Sequence, residues 1–236
     1  MLLEDEFLKK YRIKDYQIIR EFKSKKNRVF LIKSTVINEQ DTKDSWLNCF
    51  ILKEKDNDLR KELDFLKRLR KKDLKVPRLI YRGNKHLILE YIPGPTLLDC
   101  VCRLEEKQAG YQELKRLFRG LLYWLRDFYQ LEAGTILGDI NFRNFIITEE
   151  KIVYGLDFED CRKGPVEEDI GRFIAFGLSY RPEFSDWKLK TYSYLLRYFI
   201  QQLDLSPASV EHFYCEELYA IEERRGIDIS KGLGVM

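Results

Sequence analysis

The chain has little of what builds a metal or disulfide framework. Its 236 residues include two histidines, His86 and His212, and five cysteines, at positions 49, 100, 102, 161 and 215. No two cysteines are spaced Cys-x-x-Cys, and Cys100 and Cys102 form only a C-x-C. Such a set excludes a zinc framework and reads as free packing thiols in a reducing compartment. No apolar run approaches the ~18–20 residues that a membrane span needs. The first residues turn acidic at once and lack a basic segment followed by an apolar one, so no signal peptide is expected. These absences together predict a cytoplasmic protein.

A net charge is also nearly absent. There are 42 Lys and Arg against 39 Asp and Glu, for a formal charge of +3. That balance predicts no nucleic-acid and no membrane partner. With 44% hydrophobic and 34% charged residues, the composition is that of a globular protein and excludes global disorder. The neutrality is a cancellation. Residues 1–90 hold 24 basic and 15 acidic side chains, and residues 91–236 hold 18 and 24. Such asymmetry suggests two units with different surfaces.

The hydrophobic pattern agrees. Residues 16–22 and 28–34 are β-rich and joined by the polar stretch 23–27, which predicts a hairpin. Residues 35–45 are polar and turn-like, and 46–53 suit a central strand. Residues 56–72 place Leu59, Leu63, Leu66 and Leu69 at helical spacing, with Asp56 and Asp58 near the start. Residues 78–81 and 86–91 predict a second hairpin. Pro93-Gly94-Pro95 then breaks the chain and is the expected boundary between a unit over 1–92 and one over 93–236. The second unit is mostly helical, with helices expected over 111–131, 167–178, 186–203 and 207–224, and a hairpin over 145–156. Trp187, Tyr194 and Tyr198 share a helical face and are expected in the core.

The chemistry-bearing residues cluster. Asp139 and Asn144 lie five apart in Leu137-Gly138-Asp139-Ile140-Asn141-Phe142-Arg143-Asn144, and Asp157 follows in Asp157-Phe158-Glu159. A carboxylate can orient a hydroxyl and accept its proton. An amide oxygen and a second carboxylate can hold Mg²⁺ against phosphate oxygens. Upstream, Lys53 ends a strand and Glu62 lies in the next helix, where a carboxylate can hold the flexible lysine stem.

These motifs, in this order, resemble the protein-kinase-like superfamily, and most closely its aminoglycoside-phosphotransferase and choline-kinase branch. Residues 137–144 are similar to the H-G-D-x-x-x-x-N loop, 157–159 to the D-F-[GE] metal motif, and 87–97 (LILEYIPGPTL) to the hinge. Residues 168–172 (EDIGR) resemble the start of the helix whose Asp, here Asp169, braces the catalytic loop. The resemblance spans about residues 16–180. It implies an α+β fold of two lobes, a small antiparallel β-sheet lobe with one helix and a mainly helical lobe, with ATP bound between them. It further implies that Asp139 is the catalytic base, that Asn144 and Asp157 hold Mg²⁺, that Lys53, paired to Glu62, contacts the nucleotide phosphates, and that Glu90 and Ile92 offer main-chain groups to adenine. Asp160 and Glu159 read as local structure, though Glu159 could reach a second ion.

Two positions depart from the pattern. Leu137 stands where the family has a bracing His. The loop 23–27 contains no glycine, unlike the phosphate-covering loop of protein kinases. It reads equally as a phosphate contact through Ser24 and Asn27 or as a solvated lysine loop. The expected activity is ATP- and Mg²⁺-dependent transfer of a phosphoryl group to the hydroxyl of a small molecule, cationic acceptors included. The alternatives are a compact Ser/Thr protein kinase of the RIO type and a nucleotide-binding pseudokinase.

Overall fold

The computed structural model describes residues 3–22, 27–36, 49–54 and 60–235. The fold is α+β, and the chain divides into two compact units, residues 1–93 and 94–236.

In the first unit, β1 (Ile13–Phe22), β2 (Arg28–Val36), β3 (Cys49–Glu54), β4 (Leu79–Arg82) and β5 (His86–Glu90) form one sheet, ordered β1-β2-β3-β5-β4. Every pairing is antiparallel. The register follows from alternation. Along β2, Phe30, Ile32, Ser34 and Val36 are buried while their neighbours are more exposed, the period of two that a half-buried strand requires. α2 (Arg60–Lys71) buries Leu63, Leu66 and Leu69, the stripe expected from spacing. The expected helix start at Asp56 and Asp58, Leu59, most of the first hairpin loop (23–26) and residues 37–48 lie outside the described residues.

Two details differ from the sequence expectation. β2 continues through Thr35 and Val36, because Val36 is apolar, falls in phase with Ile32 and pairs with Ile13 of β1. A short helix, α1 (Asp5–Lys10), precedes the sheet. Six residues carry too little periodicity to be read. Its single core residue, Phe7, is fully buried and packs edge-on against Phe50 at 5.5 Å and against Tyr81 at 5.2 Å. Tyr11 Oη donates to the Ile80 carbonyl, which closes the helix onto the sheet.

The second unit contains α3 (Leu97–Glu106), α4 (Tyr111–Leu131), α5 (Val166–Ser179), α6 (Asp186–Leu203) and α7 (Pro207–Arg225), with two-stranded ladders between α4 and α5. Thr96 and Asp99 form a capping box at α3, and Ser185 and Ser206 cap α6 and α7. The core is aromatic. Phe118 of α4 meets Phe142, Phe173 and Phe199 within 6.2 Å, and Trp124 stacks on Phe128 at 5.7 Å. The stripe Trp187, Tyr194 and Tyr198 is not a core stripe. Trp187 is buried, but Tyr194 is 47% exposed. The buried face of α6 runs through Thr191, Tyr192, Leu195, Leu196 and Phe199, and it is centred about 100° round the helix from the line of Trp187, Tyr194 and Tyr198, which is therefore a flank.

α5 is buried on nearly all sides, and Gly171 lets α7 approach it. A Cβ there would stand 2.7 Å from both the Val210 carbonyl oxygen and the Tyr214 amide nitrogen. Gly171→Ala gains about 1 kcal/mol of helix propensity, yet it forces two backbones apart, an overpacking that costs about 1–3 kcal/mol. The expected net result is a lower urea midpoint with an unchanged m-value, read by tryptophan fluorescence. A midpoint that rises would show that α5 and α7 have slack.

Candidate active site

The site in the second unit is built between two short ladders. β6 (Thr135–Ile136) leads into the loop 137–141. A 3₁₀ turn (Phe142–Asn144) follows, and then the hairpin β7 (Phe145–Ile147) and β8 (Val153–Gly155). The chain returns through residues 156–161 to β9 (Arg162–Lys163), which pairs with β6. The catalytic-type loop and the metal-type segment therefore lie side by side. Gly138 marks how close they come. Its φ is +77°, and a Cβ would stand 2.5 Å from the Asp160 carbonyl oxygen. Only glycine accepts both conditions.

Asp139 and Asn144 are brought together. Asn144 Nδ2 donates to the Asp139 carbonyl at 2.8 Å, so the amide oxygen is the atom left to meet a cation. Asn141 Nδ2 donates to Asp139 Oδ1 at 3.3 Å, and Asn141 Oδ1 accepts from the Arg143 amide at 2.9 Å. The Leu156 amide donates to the Asn144 carbonyl at 2.8 Å, which fastens the hairpin exit beside Asn144. Asp157 follows with φ +60°, a left-handed conformation that aspartate tolerates better than most residues. Phe158 is fully buried and lies 6.4 Å from Trp124 and 6.5 Å from Phe128. That anchor leaves Asp157 and Glu159 half-buried, each with a carboxylate oxygen within 4.8 Å of the other's. The donor set, two carboxylates and an amide oxygen, suits a hard cation such as Mg²⁺.

Asp169 of α5 holds the loop. Its carboxylate is fully buried and accepts the amides of Leu137 (2.7 Å) and Gly138 (3.0 Å) and the hydroxyl of Tyr129 (2.9 Å). Burial raises its pKa from 3.8 to about 6, against the opposing pull of these three hydrogen bonds. The same burial, with the Asp169 charge beside it, pushes the Tyr129 hydroxyl well above its usual value. Leu137, in place of the family's histidine, is buried and presents its main chain to Asp169.

Sequence reasoning missed a chain of ion pairs behind this loop. Arg172 of α5 donates to the Gly138 carbonyl at 3.4 Å and pairs with Glu168 at 2.9 Å and Glu217 of α7 at 3.5 Å. Glu168 also takes Arg162 of β9, and Glu217 takes Arg224. The i,i+4 spacing of Glu168 and Arg172 was the only sequence signal. Nothing local pointed to Tyr129 or Glu217.

In the first unit, Lys53 Nζ meets both oxygens of Glu62, at 2.8 and 2.9 Å. The pair is buried and ties β3 to α2. Both hydrogen bonds and the mutual charge offset its desolvation, so losing either partner would strand a buried charge. Glu90 ends β5. Its amide is already spent on the Arg78 carbonyl at 2.9 Å, which leaves its carbonyl as the main-chain group on offer. Its carboxylate accepts the Arg78 amide at 3.0 Å and lies 3.6 Å from Arg70. Ile92 follows, buried. Ser24 and the lysines of the first loop lie outside the described residues.

The Asp169 clamp sets a pH dependence. The unfolded carboxyl releases its proton near 3.8 and the folded one near 6. Between those values the folded state holds more protons, so rising pH lowers this group's contribution to stability until it levels off above about pH 6. Relative to Asp169→Asn, the wild type should lose on the order of 2–3 kcal/mol between pH 4 and 6. Urea unfolding at a series of pH values reads the difference. A flat difference over that range would refute the shifted carboxyl.

Comparison with known proteins adds the last observation. A protein-family model, the RIO domain, matches residues 5–160, from α1 to just past Glu159. No curated protein matches the chain significantly. The family match supports the RIO-type alternative among the expectations from sequence and does not carry the aminoglycoside-phosphotransferase branch. Because the match takes in well over half of the chain, the protein belongs to the RIO domain family, an atypical protein-kinase-like, ATP-binding family.

Proposed function

We propose that the protein is an ATP- and Mg²⁺-dependent kinase that transfers the γ-phosphoryl group to a Ser or Thr hydroxyl of a protein. The observation that carries this reading is the RIO match, whose span includes Lys53, Glu62, Asp139, Asn144 and Asp157. Lys53, held by Glu62, binds nucleotide phosphate oxygens. The Glu90 carbonyl and the Ile92 main chain meet the adenine edge. Asn144 and Asp157, with Glu159 beside them, hold Mg²⁺, which supplies charge neutralisation at the phosphate oxygens. Asp139 orients the acceptor hydroxyl and takes its proton as the oxygen bonds to the γ-phosphorus and the bond to ADP breaks. The Asp169 clamp and Arg172 keep the Asp139 loop in place before the reaction, so little has to be reorganised during it. The five free thiols fit a reducing cytoplasm.

Transfer to a small hydroxylated molecule is the second reading, favoured by the likeness of 87–97 to a small-molecule kinase hinge. A screen of peptides and hydroxylated metabolites with labelled ATP separates the two.

ATP should raise the melting temperature only when Mg²⁺ is present, as ligand linkage requires, and Lys53→Met should shrink that shift. A shift absent with and without the metal would remove the nucleotide site. Asp139→Asn should keep the ATP shift and lower transfer by about 10²–10⁴-fold, the usual worth of a general base. Near wild-type turnover in that variant would remove Asp139 from its role and leave the pseudokinase reading without support.

A further inference from the structure

The second unit carries more acidic than basic residues, yet one of its faces gathers cations. On α4, Lys115, Arg116, Arg119 and Arg126 fall on one side by the helical repeat, and on α6 Lys190 and Arg197 flank Tyr194. Among the described residues, Lys115, Arg116, Arg119, Lys190 and Arg197 pair with no carboxylate. Glu113, three residues before Arg116, is the nearest acid to these cations on α4, and its carboxylate accepts the Gly110 amide at the helix start. Arg162, Arg172 and Arg224 of the same unit behave otherwise, since all three are spent on Glu168 and Glu217. A row of unpaired cations repels itself, and an anionic partner relieves it.

Four tyrosines thread this face. Tyr123 and Tyr194 are about half exposed, and Tyr111 and Tyr198 partly so. They connect the two helices. Tyr111 and Tyr194 lie 5.3 Å apart, and Lys115 sits 4.7 Å above the Tyr198 ring. Arg126 lies 6.0 Å from the Tyr123 ring and donates to the Gln202 carbonyl of α6. The face is therefore a contiguous, laterally braced surface. Tyrosine and arginine are the side chains that most often anchor protein interfaces.

We propose that the outer face of α4 and α6 docks an acidic, extended protein segment. Its rings decide between that partner and a single-stranded nucleic acid. A base stacks on an open π-face, but here Lys115 lies over the Tyr198 ring, Arg126 lies near the Tyr123 ring, and the Tyr111 and Tyr194 rings meet at a tilt of 44°. The exposed charges between these rings are cationic, the complement of carboxylates. From Tyr111 to Arg126 the helix rises about 22 Å, which an extended segment of about seven residues spans. A small free anion would engage only a fraction of it. This docking function lies beyond phosphoryl transfer, and its test needs no catalysis.

The test is fluorescence anisotropy with a labelled peptide of alternating Glu and Gly, about ten residues long. The peptide should bind the wild-type protein and weaken as salt rises. The matched Lys-Gly peptide should not bind. The double variant Arg119→Glu/Arg197→Glu should bind at least tenfold more weakly and keep the wild-type melting temperature and ATP shift. Should charge reversal disturb folding, the neutral pair Arg119→Gln/Arg197→Gln should still show a loss of several-fold. The proposal fails if the Glu-Gly peptide does not bind, if folded variants bind it as well as the wild type, or if an oligo-dT of equal charge binds more tightly than the peptide.

Discussion

One buried carboxylate organises the catalytic unit. Asp169 has no solvent around it, so it stays charged only because the Leu137 and Gly138 amides and the Tyr129 hydroxyl replace water. Charge and loop are mutually dependent. Without the loop's two amides the carboxylate would take up a proton. Without the carboxylate the two amides would be buried unsatisfied donors, each costing about 1–3 kcal/mol. This reciprocity fixes the backbone immediately before Asp139. It also explains why leucine is acceptable at position 137. The clamp acts on main-chain groups, so the side chain at 137 only needs to fill apolar space.

Much of this was legible in the sequence, and the reason is the same in each case. Helix α4 keeps its apolar stripe for six turns, and its bounds coincide with the expected 111–131. Strand β2 alternates over enough residues to set its register. The loop residues Asp139, Asn144 and Asp157 sit in motifs whose spacing is dictated by a short turn and a hairpin. What was not legible was either short or distant. α1 has one buried residue, and β6 pairs with β9 through two residues each. Tyr129 lies 40 positions from Asp169, and Glu217 lies 45 from Arg172. Contacts of that kind leave no local period. The tyrosines of α6 misled for a different reason. A step of seven keeps one line of a helix to within about 20°, but spacing does not say which line faces the core, and on α6 the buried face is centred about 100° away from this one.

The ion-pair chain behind the loop shows what the residues after the family match contribute. Glu168, Arg172, Glu217 and Arg224 all follow residue 160, where the RIO match ends. Arg172 reaches the Gly138 carbonyl from α5 while Glu217 reaches Arg172 from α7. Surface pairs of this kind are individually worth little. Glu168 and Glu217, however, are nearly buried, and each takes two arginines. Arg172 cannot leave without taking one of the two arginines from each of these nearly buried glutamates and the donor from the Gly138 carbonyl. The helices beyond the matched segment therefore help to hold the loop that carries Asp139.

The small net charge gains a structural meaning from this division of cations. Arg162, Arg172 and Arg224 of the second unit meet buried glutamates, whereas Lys115, Arg116, Arg119, Lys190 and Arg197 stand unpaired on α4 and α6. The two groups have opposite requirements. The first is held by geometry and loses its purpose if the partner is removed. The second keeps its attraction for anions because the fold places no partner there. The second unit, whose acidic residues outnumber its basic ones, could easily have neutralised that face, and Arg119 and Arg197 show that it did not. Each helix has positions within reach for a compensating glutamate, four residues from Arg119 or Arg197, and those positions hold Lys115, Tyr123, Ser193 and Gln201. Around Arg119 and Arg197 the charge is therefore left unpaired by the sequence of each helix.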